Sequence, residues 1–243
     1  MIARSLLVLS LLLLATTALS GADAEERGFI EKTFKDADGN EAKYWVFIPH
    51  DYKEDKTYPA ILFLHGGGES GTDGKKPLRA YLGPAIKKQE KTFPFIVVWP
   101  QSQKNTFRGD SPDAKRALAI MDKTMKEYKV DPKRQILAGG SLGGYGTWSI
   151  AQHNPDRFAA IVPICGGGDV KQADKIKHVP CWCFHGAQDK GVPVDLSRKM
   201  IAALKEAGGA PKYTEYADLG HDIGNQVWAT KELFDWLLEQ KQK

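Results

Sequence analysis

The stretch Gly139-Gly140-Ser141-Leu142-Gly143-Gly144 decides the fold that this sequence predicts, because it places the pattern Gly-x-Ser-x-Gly directly after an apolar run at residues 135–138. The residues that follow can form a helix, so the pattern predicts a sharp turn from a strand into a helix. Such a turn holds its serine in a strained backbone conformation, and a side chain at either outer glycine would collide across it. The stretch therefore marks Ser141 as a candidate nucleophile. The alternative interpretation is a glycine-rich turn that only packs.

The rest of the chain alternates short β-rich apolar runs with charged segments of helical periodicity, which is typical of an α/β protein with a mostly parallel sheet. Residues 25–34 are expected to add an antiparallel edge strand. Helices are predicted at residues 112–128, 194–207 and 230–240, besides the one after Ser141. The other predicted strands are residues 41–49, 60–64, 95–99, 135–138, 159–164, 181–184 and 213–217.

The composition is that of an ordinary soluble globular protein, with 42% hydrophobic and 26% charged residues among 243. The 34 Lys and Arg against 30 Asp and Glu give a net charge of +4, and the basic residues form no stripe or arm. The charge pattern therefore gives no support to nucleic-acid binding. One domain is expected, since the sequence shows no internal repeat and no linker.

A strongly apolar run at residues 6–15 lies close to the N-terminus. It is too short to span a bilayer, which needs about 20 residues, and small-residue cleavage motifs follow at 18–20 and 22–24. We expect residues 1–24 to be a signal peptide and residues 25–243 to form a secreted or periplasmic domain, with no stable membrane insertion after leader removal. The alternative is an uncleaved membrane anchor.

The partners of a nucleophilic serine should follow it in the order acid, then histidine. Asp189 ends the loop after the strand predicted at residues 181–184, and His221 follows the next strand. Loops at the carboxyl ends of parallel strands are where such a sheet assembles its site. Asp169 is an alternative acid because it follows the preceding strand. Asp195 is better explained by the first turn of a helix, where a carboxylate favours the dipole.

The run His65-Gly66-Gly67-Gly68-Glu69 follows the strand predicted at residues 60–64. Its glycines let a backbone N–H point at a substrate oxygen, so we expect an oxyanion hole made by the N–H groups of Gly67 and Leu142. A phosphate-binding loop is the alternative, but the run lacks the Lys-Ser/Thr of such loops. Ser111, in Gly109-Asp110-Ser111, resembles a different esterase signature. Because Pro112 follows it, a helix N-cap is its simpler role.

The cysteines and tryptophans allow two interpretations each. Cys181 and Cys183 read as buried strand thiols, although with His185 they would share a strand face and offer metal ligands. No Cys-x-x-Cys spacing supports a metal there, so we expect none. The three tryptophans are candidates for an aromatic-accepting pocket or for the core: Trp99, Trp148 and Trp228.

Three blocks together resemble the α/β-hydrolase fold: residues 63–72, residues 139–148, and His185 to Asp189 with Val192-Pro193-Val194. Within that fold they are most similar to exported esterases and peptidases near the dienelactone hydrolase, phospholipase/carboxylesterase and feruloyl-type esterase families, over nearly all of residues 41–240. The resemblance implies an eight-stranded, mostly parallel sheet with helices on both faces. It also implies a serine hydrolase with Ser141, Asp189 and His221.

One departure from that resemblance concerns the substrate pocket. Many relatives carry an aromatic residue shortly after the His-Asp pair, whereas Ile223-Gly224-Asn225 follows here. The link between residues 164 and 181, about sixteen residues long, is also too short for a large helical lid. An open site is therefore expected. Basic residues in two loops that can reach it suggest either a rim for acidic glycans or a solvated surface: Lys75, Lys76, Arg79, Lys104 and Arg108.

The function predicted from these observations is hydrolysis of carboxylic esters through an acyl-enzyme on Ser141, with His221 as base and Asp189 as orienting acid. Small-molecule or polysaccharide-linked esters with short acyl, aryl or carbohydrate groups are the expected substrates. The reaction needs no metal or organic cofactor. Two alternatives remain: a serine peptidase on the same three residues, and a non-catalytic binding protein, whose mark would be a missing member of the three.

Overall fold

The computed structural model describes residues 26–242, and the predicted leader at residues 1–24 lies outside them. One eight-stranded sheet organises the described chain, in the order β1-β2-β4-β3-β5-β6-β7-β8. The strands are β1 (Gly28–Lys35), β2 (Glu41–Ile48), β3 (Tyr58–Leu64), β4 (Ile96–Pro100), β5 (Val130–Gly140), β6 (Ala160–Ile164), β7 (Trp182–Gly186) and β8 (Lys212–Tyr216).

Within residues 26–242, six α-helices flank the sheet. They are α1 (Leu82–Lys88), α2 (Pro112–Glu127), α3 (Leu142–His153), α4 (Asp195–Glu206), α5 (Gly224–Trp228) and α6 (Lys231–Glu239).

Strand β2 is antiparallel to both β1 and β4, and from β4 to β8 all pairs are parallel. This confirms the mostly parallel sheet and the antiparallel edge pairing expected near the N-terminal end of the domain. Connections between parallel strands cross over through helices, so the loops that leave the carboxyl ends of the strands meet at one edge of the sheet.

Two apolar layers cover the two faces of the sheet, as expected for an α/β protein. On one face α2, α3 and α4 pack against the strands through residues such as Ile120, Trp148 and Met200. On the other face α1, α5 and α6 supply Ile86, Trp228 and Leu237, among others. The helices on both faces confirm the predicted architecture.

The link between β6 and β7 contains a 3-10 helix, Val170–Ile176, and no α-helix. It packs beside α4 and α3, and Asp169 caps its start by accepting a hydrogen bond from the N–H of Lys171. The structure therefore has no large helical insertion at this point, as the length of the link indicated. None of the helices within residues 26–242 combines the length and the apolar composition that crossing a bilayer requires.

Two short helices and part of one strand differ from the prediction. Helix α1 contains Gly83 and Pro84, and α5 has five residues, so neither carries a periodic apolar pattern long enough to be recognised. Strand β5 begins at Val130 rather than at residue 135, because Val130 pairs with Tyr58 across an irregularity in the register.

Candidate active site

Ser141 lies at the sharp turn between β5 and α3, with φ 56° and ψ −113°. The glycines around it make this turn possible. A Cβ at Gly143 would overlap the carbonyl oxygen of Leu64, and one at Gly139 would lie 2.5 Å from the oxygen of Gly143. The strained conformation expected from the Gly-x-Ser-x-Gly pattern is therefore present, and it raises the hydroxyl above the carboxyl end of the sheet.

Three side chains from three loops form a continuous hydrogen-bonded chain. Ser141 Oγ lies 2.9 Å from Nε2 of His221, and Nδ1 of the same ring lies 2.6 Å from Oδ2 of Asp189. The Asp189 side chain is fully buried, whereas that of His221 is 37% exposed. Such a chain lets the imidazole take a proton from the serine while the carboxylate holds the ring in one tautomer.

The carboxylate of Asp189 is oriented by its own loop. Its Oδ1 accepts hydrogen bonds from the backbone N–H groups of Gly191 and Val192, both at 2.8 Å, which leaves Oδ2 for His221. Burial alone would raise the pKa of Asp189, but the hydrogen bonds from Val192, His221 and Gly191 outweigh it and lower the pKa below its usual value. The charged form is therefore the stable one beside the imidazole.

The alternative acids and the alternative serine have structural roles. Asp169 caps the 3-10 helix between β6 and β7 through its side chain. Asp195 lies in the first turn of α4 and pairs with Arg198 at 2.9 Å. Ser111 is the N-cap of α2, where its Oγ accepts a hydrogen bond from the N–H of Ala114.

The two backbone donors expected for the oxyanion flank the serine. Leu142 is the first residue of α3, so its N–H has no partner within the helix. Gly67 begins a 3-10 helix, Gly67–Glu69, and the preceding Gly66 lies against Ser141, since a Cβ there would be 3.7 Å from Ser141 Cβ. The glycine-rich loop and the helix start thus converge on the same side chain.

His65 holds the backbone around the glycine loop. Its Nε2 accepts a hydrogen bond from the N–H of Ser102 at 2.8 Å, and Nδ1 therefore donates to the carbonyl oxygen of Gly66, 2.6 Å away. Burial lowers the pKa of His65 from 6.5 to about 4, so the ring is neutral at neutral pH.

His185 and Cys165 stand behind the acid and the histidine, where sequence reasoning did not place them. Nε2 of His185 lies 3.2 Å from Asp189 Oδ2, and its Nδ1 lies 2.7 Å from Ser197 Oγ. Cys165, with φ 46°, directs its thiol at the carbonyl oxygen of His221, 3.5 Å away. Cys165 directly follows β6, and His185 lies near the carboxyl end of β7, where site residues of such a sheet are expected.

The metal interpretation of Cys181, Cys183 and His185 is not supported by their contacts. Both thiols are buried, and burial raises the pKa of each. Both ring nitrogens of His185 face protein groups. Within residues 26–242 only Cys165, Asp189 and His221 bring three ligand atoms within 4.8 Å of one another, and two of these belong to the hydrogen-bonded chain of Ser141.

The three tryptophans considered for an aromatic pocket belong to the core, since Trp99 and Trp148 have no exposed surface and Trp228 has 1%.

At the rim of the site, Arg108 is exposed, and its charge acts on Tyr145, one helical turn after Ser141. Burial, followed by the charge of Asp189, raises the pKa of Tyr145, and Arg108 opposes that shift.

A strand-turn-helix serine on an eight-stranded, mostly parallel sheet, with an acid and a histidine on later loops, defines a hydrolase of the α/β-hydrolase fold. The chain belongs to the esterase family described as "Putative esterase", whose model matches residues 37–239.

Among solved structures, a thermostable esterase is 34% identical with a TM-score of 0.79; the match covers 88% of this chain and 63% of that one. Dipeptidyl-peptidase 5 of Porphyromonas gingivalis is 28% identical over 147 residues, which are 56% of this chain and 21% of the peptidase. A bifunctional acetylxylan esterase/xylanase of Neocallimastix patriciarum is 33% identical over 99 residues, 39% of this chain and 15% of that protein. The chain thus spans less than two thirds of each of these relatives.

Proposed function

We propose that this protein hydrolyses carboxylic esters through an acyl-enzyme on Ser141. The observation that carries the proposal is the hydrogen-bonded chain from Asp189 through His221 to Ser141, with distances of 2.6 and 2.9 Å. The esterase family of the chain supports the same reaction class.

The reaction runs in two halves. His221 Nε2 takes the hydroxyl proton as Ser141 Oγ attacks the ester carbonyl, and Asp189 stabilises the imidazolium that forms. The N–H groups of Gly67 and Leu142 hold the tetrahedral oxyanion. When the C–O bond breaks, the imidazolium gives its proton to the leaving alcohol. Water, activated by His221, then releases the acid and restores Ser141.

The open surroundings of the site favour small esters. The link between β6 and β7 supplies only a short 3-10 helix, so nothing from that link encloses a long acyl chain. Esters with short acyl, aryl or carbohydrate-linked groups are therefore the substrates we propose, from small molecules or attached to polysaccharides. We also propose that the domain works in a secreted or periplasmic setting, from the leader-like sequence at residues 1–24.

A serine peptidase with the same three residues is the second candidate, because a dipeptidyl-peptidase is among the similar proteins. The two candidates share the nucleophile and differ in the leaving group. Measuring turnover of p-nitrophenyl acetate and of an alanyl-alanyl-p-nitroanilide therefore separates the two candidates. We expect this protein to turn over the ester faster than the anilide.

Labelling with a fluorophosphonate tests the nucleophile directly. Wild type should be labelled, and Ser141→Ala should lose both the label and nearly all ester hydrolysis while keeping its fold. Ser111→Ala is the matched control, because Ser111 caps α2 and faces no catalytic group. It should keep the label and lose only about 1 kcal/mol of stability. Ester hydrolysis by Ser141→Ala within tenfold of wild type would contradict the proposal.

A further inference from the structure

Tyr81, which precedes α1, packs its ring against three glycines that are distant from one another in the sequence: Gly66, Gly140 and Gly224. A Cβ at Gly140 would overlap Cε1 and Cζ of this ring, one at Gly224 would lie 2.8 Å from Cδ1, and one at Gly66 would lie 3.7 Å from Cε2. Gly140 immediately precedes Ser141. Because Cζ carries the hydroxyl, the phenol end of the ring lies against the residue that precedes Ser141.

The backbone of Tyr81 is strained in the same way as that of the serine. Its φ of 57° and ψ of −114° nearly equal the 56° and −113° of Ser141. A residue with a side chain in such a conformation costs about 1–3 kcal/mol and persists only where its surroundings hold it. The three glycine contacts and the Phe63 ring, 6.0 Å away between centroids, provide that hold. Tyr81 is therefore a fixed part of the site.

The carboxylate of Glu69 borders the same space from the oxyanion loop. A Cβ at Gly66 would lie 2.9 Å from Glu69 Oε2 and 3.7 Å from both Ser141 Cβ and the Tyr81 ring. The space above Gly66 is thus shared by the nucleophile, a phenol and a carboxylate. This is an unusually polar surrounding for an ester that carries only hydrocarbon groups.

Neither polar group is used by the fold. Within residues 26–242, no hydrogen bond or ion pair engages the Tyr81 hydroxyl or the Glu69 carboxylate, whereas the backbone N–H and C=O of Glu69 are both bonded. Burial, and then the charges of Cys165, Glu69, Asp222 and Asp189, raise the pKa of Tyr81. The phenol therefore remains a neutral hydrogen-bond donor, and Glu69 is an acceptor next to it.

We propose that Tyr81 and Glu69 select esters that carry a hydroxyl group within a few bonds of the scissile carbonyl. A hydroxyl group uses both residues, because it accepts from the phenol and donates to the carboxylate. An ammonium group would use only the carboxylate. The inference rests on the proposed ester hydrolysis and names the substrate class for the same site. The hydroxyl belongs to the acyl part, as in a 2-hydroxyacyl ester, or to the alcohol part, as in an acylated polyol or sugar.

Two pairs of esters test this, with rates followed by titration of the released acid. The comparison of methyl lactate with methyl propionate tests a hydroxyl in the acyl part. The comparison of 2-hydroxyethyl acetate with propyl acetate tests a hydroxyl in the alcohol part. Wild type should prefer the hydroxylated member of at least one pair in kcat/KM, and that pair assigns the position of the hydroxyl. The ratio that is compared is kcat/KM for the hydroxylated ester divided by kcat/KM for the plain ester of that pair. Tyr81→Phe should lower this ratio about fivefold, and Glu69→Gln should lower it about tenfold. Each variant is compared with wild type through this ratio alone, so an effect of the substitution on turnover of the plain ester cancels.

Controls keep the result specific. Tyr128→Phe and Glu54→Gln make the same chemical changes at the end of α2 and on an exposed loop, and both should preserve the ratio. The inference is overturned if wild type shows no hydroxyl preference in either pair, or if both variants at the site keep the wild-type ratio. It is also overturned if alanine methyl ester exceeds methyl lactate and loses that advantage in Glu69→Gln, because the selected group is then an ammonium.

The proposed function fails in a distinguishable way. If Ser141→Ala hydrolyses methyl propionate as wild type does, or if wild type hydrolyses none of the esters, the ester hydrolase proposal falls together with this inference. If Ser141→Ala is inactive and the hydroxyl ratio does not respond to the two variants, only this inference falls.

Discussion

Asp189 Oδ2 lies 3.2 Å from Nε2 of His185, so the carboxylate that faces His221 also faces a second, fully buried imidazole. Burial lowers the pKa of His185, and the ring is neutral beside the acid. The carboxylate thus accepts hydrogen bonds from the His221 ring and from two backbone N–H groups of its own loop, while the His185 ring packs against it. These contacts of the carboxylate predict the kinetic effect of replacing Asp189.

Asp189→Asn should lower kcat for ester hydrolysis by about three to four orders of magnitude, with little change in fold. The amide oxygen can keep the hydrogen bonds from Gly191 and Val192, which turns the NH2 group towards His221. The ring must then accept at Nδ1 and carry its proton on Nε2, where it cannot deprotonate Ser141. Steady-state kinetics on p-nitrophenyl acetate measure the loss.

Asp169→Asn is the matched control for that change, because Asp169 is the acid that the sequence offers as the alternative and it caps a 3-10 helix instead. It should retain activity within about twofold, since it meets no catalytic group. The assignment is reversed if Asp169→Asn is the inactive variant and Asp189→Asn the active one.

The stability of the protein should rise with pH between about pH 4 and pH 6.5, partly because of His65. Burial lowers the pKa of His65 from 6.5 to about 4 in the folded state. In this interval the unfolded chain binds a proton that the folded chain does not, so the contribution is complete above the unfolded pKa and lost as the pH falls towards 4. The shift corresponds to about 3 kcal/mol of unfolding free energy. Urea denaturation across this range measures the slope.

His65→Gln should flatten that slope, whatever its effect on the absolute stability. His178→Gln is the control, because the side chain of His178 is 54% exposed. A variant at His65 with the full wild-type slope would show that another group takes up the proton.

Ser141→Gly should stabilise the fold by about 1 kcal/mol relative to Ser141→Ala, although both variants are inactive. Alanine keeps a Cβ at φ 56° and ψ −113°, whereas glycine adopts that conformation with less strain. The greater freedom of glycine in the unfolded chain reduces the gain. Unfolding midpoints in urea compare the two, and an alanine variant as stable as the glycine variant would mean that the turn is unstrained.

Gly143→Ala should destabilise the protein by more than about 3 kcal/mol or prevent folding, because its Cβ would overlap the carbonyl oxygen of Leu64 in the neighbouring strand. Gly68→Ala is the matched control, since a Cβ there meets nothing within 4 Å. It should change stability by less than about 0.5 kcal/mol. Equal losses at the two positions would contradict the close packing of the turn.

The sequence predicts those parts of the fold and site that depend on local patterns. The glycines on both sides of Ser141 predict the sharp turn there. The alternation of strands and helices predicts that Asp189 and His221 follow Ser141 on later loops. These three side chains do lie in one hydrogen-bonded chain. Their chemical roles remain predictions that kinetics must test.

The remaining parts depend on contacts between distant segments. The position of Tyr81 depends on Gly66, Gly140 and Gly224, three residues distant in the sequence, which leave room for its ring. No local sequence pattern around Tyr81 predicts its contacts with these glycines. Helix α1 is not predicted from the sequence for a similar reason. Its seven residues include a glycine and a proline, so the helix depends on packing against the sheet and shows no apolar periodicity of its own.

The short 3-10 helix between β6 and β7 also has a consequence for the kinetics of the proposed ester hydrolysis. An ester hydrolase covered by a helical lid opens at an oil-water boundary, so its rate jumps when the substrate forms droplets or micelles. Here that link contains no such cover, and the His221 ring is 37% exposed. Interfacial activation is therefore not expected: the rate should follow the concentration of dissolved, monomeric ester and level off, rather than jump, when the substrate begins to aggregate.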